Sequence, residues 1–199
     1  GSPVAANRVL AFTKRFFSWC KERDILELSP AEAIRPPSKE KIRDRVLTLD
    51  EMKSIWAACK QMGYPWGPIF QLLLLTGARL REVSQASWSE VSIADGTLDL
   101  PASRTKNKRS HQIQLSDQAQ NIIQTLPRVE GQTLLFTTNG TTAVSGFSKV
   151  KKRLDIISGV ADWRFHDLRR SFATHSTERL GISPVIADKI LNHVTGQVR

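Results

Sequence analysis

The chain has 199 residues, 40% of them hydrophobic, which is enough to bury one substantial core, and its longest apolar run, around Leu72 to Leu75, is too short to cross a bilayer. Its 29 Lys and Arg residues against 19 Asp and Glu residues give a net charge of +10 and a pI near 10.1, which favours a polyanionic partner such as nucleic acid. Two distant cysteines, Cys20 and Cys59, lie among apolar residues and are typical of buried thiols in a reducing compartment, so we expect a cytoplasmic protein with no disulfide, zinc site or membrane partner.

The first predicted element is an amphipathic helix over Val4 to Arg23, with apolar residues on one stripe. Ser29-Pro30 combines an N-cap residue with a proline at the first helical position, which predicts a short helix over Ala31 to Ile34. From Arg35 to Arg45 the chain is charged, contains prolines and has no apolar period, so it reads as a linker. The predicted organisation is a small unit, a linker and a larger unit, at residues 1–34, 35–46 and 47–199.

A capping box, Thr48-Leu49-Asp50-Glu51, predicts the first helix of the larger unit, with an apolar stripe that continues to Met62. A second helix is expected after Pro65 and is expected to end at Gly77, where glycine favours helix termination. A third helix is predicted over Arg79 to Ala86.

The apolar period then changes from helical spacing to alternation. Alternating segments at Val91–Ile93 and Leu98–Leu100 flank Asp95-Gly96, a strong hairpin turn, and a third short strand is expected at Ile113–Leu115. These segments predict a small antiparallel sheet. Four further helices are predicted beyond it, at Asp117–Leu126, Phe147–Ile157, His166–Leu180 and Pro184–Leu191.

Four short motifs in the larger unit carry side chains suited to phosphate chemistry. They are Thr76-Gly77-Ala78-Arg79-Leu80-Arg81-Glu82, Thr105-Lys106, His166-Asp167-Leu168-Arg169-Arg170 and Leu191-Asn192-His193. In order and spacing, from Thr48 to the end, they resemble the tyrosine recombinases of the phage-integrase type. The helix before the linker also resembles the last part of that family's core-binding domain. The resemblance implies a mixed, mainly α fold: a catalytic domain with a small antiparallel β-sheet, preceded by the last helices of a helical core-binding domain.

The implied activity is site-specific DNA recombination or integration, in which a strand is cut and rejoined through a 3′-phosphotyrosine without metal or other cofactor. A phosphodiester under attack gains negative charge on its non-bridging oxygens, and the planar, always protonated forks of Arg79 and Arg169 suit those oxygens. By resemblance, His166 would be a general base or phosphate ligand. Lys106 would protonate the departing 5′ oxygen, and His193 would donate a hydrogen bond to a non-bridging oxygen.

Two of these assignments have close competitors. Arg169 and Arg170 lie three and four residues after His166, so helical spacing favours neither, and the family's motif is what selects Arg169. Lys108 is the nearest rival of Lys106, because both lie in the same basic turn.

Other residues are expected to support the fold. Glu82 is three residues after Arg79 and should form an ion pair with it, and His175 falls on the helix face opposite His166, where a packing or surface role is expected. The aromatic residues with apolar neighbours are read as core rather than base-stacking residues: Trp56, Trp66, Trp88, Trp163 and Phe165.

The remaining cations are interpreted as contacts to the DNA backbone, which supply salt-sensitive binding without sequence preference. They are Arg104, Lys108, Arg109, Lys149, Lys152 and Arg170. Double-stranded DNA is therefore the expected partner. Neighbouring recombinase protomers are expected on DNA for the full-length protein, and a monomer is expected for this chain in solution.

The only tyrosine is Tyr64, which precedes the first arginine motif and is expected to be a turn or packing residue. In the family a tyrosine follows the second histidine within a short stretch, whereas this chain ends at Arg199, shortly after His193. We therefore expect a fragment that binds DNA but does not cleave it.

Two other function classes are weighed against the recombinase. A non-catalytic module could occupy recombination sites as a regulator, and the sequence beyond His193 would distinguish it. A metal-dependent nuclease would need clustered carboxylate or histidine ligands. The acidic residues that might supply them lack ligand spacing: Asp95, Asp99, Asp162 and Asp167.

Overall fold

The computed structural model describes residues 2–39 and 43–193, which fall into two units, Gly1–Asp44 and Arg45–Arg199. The division between Asp44 and Arg45 lies inside the stretch interpreted as a linker from its prolines and charges. None of the helices within the described ranges combines the length and apolar character needed to span a bilayer.

The smaller unit is built on α1, Pro3–Lys21, which has a proline at its first helical position. Its apolar stripe is mostly exposed: Phe12 is 73% and Phe16 58% accessible, and Cys20 is the residue of the helix that is buried. The amphipathic pattern therefore predicts the helix correctly, although most of the apolar side chains on its stripe are exposed among the described residues of this unit.

The predicted short helix over Ala31 to Ile34 is wrong, because these residues form consecutive turns. The Glu32 amide donates to the Ser29 carbonyl at 3.1 Å and the Ile34 amide to the Ala31 carbonyl at 3.3 Å, so the bonds close tight turns and do not propagate. One helical turn fixes several backbone dihedrals for a single hydrogen bond, and Pro36-Pro37 follows before further bonds could form.

The larger unit begins with α2, Leu49–Met62, at the predicted capping box: the Thr48 hydroxyl accepts from the Glu51 amide at 3.2 Å, and the Glu51 carboxylate accepts from the Thr48 amide at 2.8 Å. Helix α3, Trp66–Thr76, ends at Gly77 in a left-handed conformation. The other helices are α4 Leu80–Ser84, α5 Asp117–Gln124, α6 Phe147–Ser158, α7 Phe165–Glu178 and α8 Pro184–Ile190.

The sheet has three antiparallel strands in the order β1-β2-β3: β1 Val91–Ser92, β2 Thr97–Leu100 and β3 His111–Gln114. Leu98 is paired with Ile113, and both are buried, while Asp99, Gln112 and Gln114 beside them are exposed and Thr97 is buried as well. This alternation is what the sequence pattern predicted. The fold is mainly α with a small antiparallel sheet, as expected.

The core of the larger unit surrounds α3, which packs against α2, α5 and α7. Phe70 in α3 is fully buried and stacks on Phe165 at the start of α7, with 5.0 Å between ring centroids. This contact places the middle of α3 beside the start of α7, and one turn further along α7 the Arg169 side chain donates to the carbonyl of Gly77 at the end of α3. Three of the four motifs meet there.

Candidate active site

A cavity of about 600 Å³ opens where the α3–α4 junction, the β2–β3 loop and the start of α7 meet. It brings together side chains that are up to 91 residues apart in sequence, from Ala78 to Arg169. Its lining consists of Ala78, Arg79, Leu80, Arg81, Glu82, Arg104, Thr105, Lys106, Phe165, His166 and Arg169. Four of the five expected catalytic residues are among them, and His193 is not.

Arg79 lies immediately before α4 and is held by Glu82, whose side chain is buried in the first turn of that helix. One Glu82 oxygen accepts from the Arg79 backbone amide at 2.8 Å, and the other accepts from the Arg79 guanidinium at 2.7 Å. The expected ion pair is therefore present. It fixes the orientation of the guanidinium at the cavity wall through one edge, so the other N–H groups remain available to a ligand.

Arg169 is only 4% exposed, although it carries a charge. It donates from Nη1 to the Gly77 carbonyl at 2.9 Å and from Nη2 to the Leu191 carbonyl. These carbonyls lie at the C-terminal ends of α3 and α8, where the helix dipole favours a cation. Its Nε–H is buried and has no hydrogen-bond partner in the described part of the chain. A buried donor of this kind is costly unless an acceptor binds to it.

Burial and the neighbouring charge of Arg79 lower the pKa of Arg169 to about 10, while Glu82 opposes the change. The guanidinium is still protonated at neutral pH. Two positive charges on one cavity wall create a site that gains stability when an anion enters.

His166 precedes Arg169 by one turn of α7. Burial, followed by the charges of Arg169 and Arg170, lowers the pKa of His166 below the usual 6.5, and Asp167 acts in the opposite direction. The imidazole is therefore neutral at pH 7 and can accept a proton.

Lys106 lies in the tight turn that connects β2 to β3. The Lys108 amide donates to the Thr105 carbonyl at 3.2 Å, and the buried Thr105 hydroxyl donates to the Arg109 carbonyl at 2.7 Å. Lys106 and its rival Lys108 are both exposed, but Lys106 lines the cavity and Lys108 does not.

His193 is exposed and follows α8. Its Nδ1 is 2.8 Å from an Asp188 carboxylate oxygen, and its backbone amide donates to the Asp188 carbonyl at 2.8 Å. With Nδ1–H donated to Asp188, the second nitrogen, Nε2, is the one left for a ligand. It carries a hydrogen only when the ring is protonated, so donation to a phosphate oxygen from Nε2 requires the imidazolium form.

Two of the cations expected on the DNA backbone are engaged inside the protein. Arg104 forms an ion pair with Glu90 and donates to the Glu82 carbonyl at 2.9 Å, so it stabilises α4 at the cavity wall. Arg170 is 3.0 Å from Asp167 and does not line the cavity. The other four are exposed: Lys108, Arg109, Lys149 and Lys152.

Tyr64 and His175, for which packing roles were expected, form hydrogen bonds outside the cavity. The Tyr64 hydroxyl donates to the Leu135 carbonyl at 3.2 Å and accepts from the Thr137 amide at 3.1 Å. His175 Nε2 is 2.8 Å from the Leu47 carbonyl. Across residues 2–39 and 43–193, no group of three or more His, Cys, Asp or Glu side chains is arranged to hold a metal ion.

Sequence reasoning overlooked His111 on β3. Burial lowers the pKa of His111 below 6.5, and the charges of Arg169 and Arg79 lower it further. The charge of Glu82 and the Ile190 backbone act in the opposite direction. The ring therefore lies among the charges of the site. A signal was present in the sequence, because His111 precedes the buried Ile113 by two residues and so belongs to the same face of the strand.

Known proteins share both the sequence and the fold. A model of the phage integrase family matches residues 45–198. The Shufflon-specific DNA recombinase of Escherichia coli is 27% identical over 202 residues, covering 96% of this chain and 50% of that protein. The chain thus spans about half the length of this curated relative.

Two solved structures have the same fold at low sequence identity. A lambda integrase tetramer bound to a Holliday junction aligns with a TM-score of 0.76 and 19% identity, over 100% of this chain and 62% of that one. The Tn1549 transposon integrase in complex with circular intermediate DNA aligns with a TM-score of 0.70 and 14% identity, over 98% of this chain and 72% of that one. Because the family match extends over nearly all of the larger unit, the chain belongs to the phage integrase family of tyrosine recombinases.

Proposed function

We propose that this chain is the DNA-binding and catalytic part of a site-specific recombinase that cuts and rejoins double-stranded DNA through a 3′-phosphotyrosine. The observation that carries the proposal is a single cavity lined by two arginines, Arg79 and Arg169, together with Lys106 and His166. A phosphodiester supplies the acceptor oxygens that such a wall lacks. The similarity to the Shufflon-specific recombinase and to integrases bound to DNA supports the same conclusion.

In this mechanism Arg79 and Arg169 bind the non-bridging oxygens of the scissile phosphate and stabilise the charge that develops there. A tyrosine hydroxyl attacks phosphorus, and neutral His166 accepts its proton or binds the phosphate. The bond between phosphorus and the 5′ oxygen breaks as Lys106 donates a proton to that oxygen. In the second step the 5′ hydroxyl of another strand attacks the phosphotyrosine, and the same groups act in reverse.

His193 has the role of a hydrogen-bond donor to a non-bridging oxygen. The Asp188 carboxylate, 2.8 Å from Nδ1, fixes the orientation of the ring for this role. His193 does not line the cavity, so the proposed contact needs DNA to extend beyond it towards the end of α8.

The nucleophile is a tyrosine other than Tyr64. The Tyr64 hydroxyl is already bonded to the backbone at Leu135 and Thr137, and Tyr64 is absent from the lining of the cavity. Since the sequence has no second tyrosine, the 199-residue chain should bind DNA without cutting it.

The DNA backbone would be held by the exposed cations of the larger unit, Lys108, Arg109, Lys149 and Lys152. The smaller unit has the role of the end of a core-binding domain. We further propose that this chain is a monomer in free solution, which light scattering would test. In the full-length protein, protomers associate on DNA, and the protein acts on DNA in the cytoplasm.

Covalent trapping tests the proposal. The full-length protein encoded by the gene is offered duplex DNA that contains its site and a nick beside the scissile phosphate, so that the adduct accumulates. The adduct should form in the presence of chelator, and the 199-residue chain should form none. Arg79→Ala should reduce adduct formation by about two to three orders of magnitude, with a much smaller effect on DNA binding.

Arg179→Ala is the matched control, because Arg179 is an exposed arginine at the end of α7, does not line the cavity and should keep most of the activity. Adduct formation that continues in Arg79→Ala, or a covalent link through Tyr64, would overturn the mechanism.

A non-catalytic DNA-binding module is the second candidate, favoured by the hydrogen-bonded Tyr64 as the sole tyrosine of the sequence. It predicts that the full-length protein binds its site with salt-sensitive affinity and never becomes linked to the nicked duplex.

A further inference from the structure

Two asparagines join the β2–β3 turn to the residues that follow α8. Asn107 Nδ2 donates to the Asn192 side-chain oxygen at 2.7 Å, and Asn192 Nδ2 returns a longer hydrogen bond to Asn107 Oδ1 at 3.4 Å. Both residues are half-buried, and they are 85 positions apart in sequence. Each is directly adjacent to a proposed catalytic residue, since Lys106 precedes Asn107 and His193 follows Asn192.

The local backbone orients the side-chain amides of both asparagines for this contact. Asn107 Oδ1 also accepts from the Arg109 amide at 3.3 Å, which fixes the orientation of the side chain within the turn. Asn192 has a φ of 51°, in the left-handed region that asparagine tolerates better than most residues do. A glycine would adopt the same backbone but would remove the side-chain oxygen, so that Asn107 Nδ2 keeps only its longer hydrogen bond to the backbone carbonyl of residue 192, at 3.4 Å.

The residues around Asn192 form a junction between elements of the site. The Leu191 carbonyl accepts from Arg169 of α7, and the Asn192 side chain pairs with Asn107 in the turn. Two consecutive residues before His193 are therefore each tied to a different element of the site. The asparagine pair is the contact that reaches the tip of the β2–β3 connection, where Lys106 lies.

We propose that Asn107 and Asn192 are positioning residues that set Lys106 and His193 in one common geometry around the scissile phosphate. The inference rests on the proposed function for those two residues. The amide pair links Lys106, which protonates the 5′ oxygen, to His193, which donates a hydrogen bond to a non-bridging oxygen. Neither side chain is then positioned independently of the other. Without the pair, the exposed turn is free to move and Lys106 spends less time at the leaving oxygen.

Leaving-group chemistry tests this role. Cleavage by the full-length protein is measured on nicked duplex with either the natural 5′ oxygen or a 5′ bridging sulfur, whose thiolate departs without a proton. Asn107→Ala and Asn192→Gly should each slow cleavage of the oxygen substrate by about ten- to a hundredfold, the range that misplacement of a catalytic group produces. The sulfur substrate should restore most of the rate in both variants.

The double variant should be no slower than the slower single variant, because either change alone breaks the same contact. DNA affinity should change less than about twofold, since neither amide is assigned to bind phosphate. The control is Asn121→Ala on the exposed surface of α5, which should match the unmodified protein on both substrates. If Asn192→Gly also lowers thermal stability, Asn107→Ala in the exposed turn carries the test.

Equal slowing of the oxygen and sulfur substrates, or effects that multiply in the double variant, would overturn the inference. Lys106→Ala separates this failure from that of the proposed function. If sulfur does not restore cleavage in Lys106→Ala, the acid role of Lys106 is wrong and the positioning role falls with it. If sulfur restores Lys106→Ala but not Asn107→Ala, the positioning role alone is wrong.

Discussion

Replacing Gly77 by alanine should destabilise the larger unit, because this glycine closes α3 in a crowded part of the site. Its φ is +62°, and an added Cβ would lie 2.7 Å from a ring carbon of Phe172 and 2.8 Å from a methyl group of Leu191. Gly159, which ends α6 in the same left-handed conformation with a φ of +68°, has no neighbour within 4 Å of its Cβ position. The two alanine variants therefore differ in crowding and share the backbone strain.

The shared strain is the cost of a left-handed conformation for a residue with a Cβ, about 1–2 kcal/mol. Gly77→Ala adds the cost of forcing atoms into a packed region, about 1–3 kcal/mol. We therefore expect a loss of roughly 2–5 kcal/mol in the free energy of unfolding for Gly77→Ala, against about 1–2 kcal/mol for Gly159→Ala. The Gly77 carbonyl accepts from Arg169, so displacement of Leu191 and Gly77 also disturbs the arginine.

Urea denaturation followed by tryptophan fluorescence measures both losses, since four of the five tryptophans lie in the larger unit. The decisive quantity is the difference between the two variants at unchanged m-value. Equal shifts of the two midpoints would show that crowding at Gly77 adds nothing and would refute the packing argument.

Three further predictions follow from the site. Arg169→Lys should lower the free energy of unfolding by about 1–3 kcal/mol in the same assay, because one of two buried carbonyls loses its donor, and Arg170→Lys should change it little. An NMR titration of His166 should have its midpoint below pH 6.5, and a higher midpoint would contradict the assigned cause. Because the unfolded chain then binds the proton more readily than the folded protein, the contribution of His166 to the free energy of unfolding declines as the pH falls below 6.5. Duplex binding should weaken steeply with salt, at about 0.9 in the logarithmic slope per phosphate contact, and Lys149→Ala should reduce that slope by about 1, whereas a flat titration would exclude backbone contacts as the source of affinity.

The elements that sequence alone determined are those governed by neighbours along the chain. The capping box at Thr48, the termination of α3 at Gly77 and the alternation on either side of Asp95-Gly96 all act within a few residues, and the structure has each of them. The order of the motifs was enough to recognise the family. The short helix expected after Ser29 failed because capping residues cannot compensate for the cost of nucleation over a single turn.

The arrangement of the site was decided by tertiary structure. Helical spacing on α7 allowed either Arg169 or Arg170 to share a face with His166. The packing of α3 and α8 against α7 buries Arg169, whereas Arg170 forms an ion pair with Asp167. The same is true of the contact between Asn107 and Asn192 across 85 residues. Local periodicity fixes the face of a helix or strand on which a side chain lies, but the partner that meets this face depends on how distant segments pack, and no pattern along the chain encodes that distance.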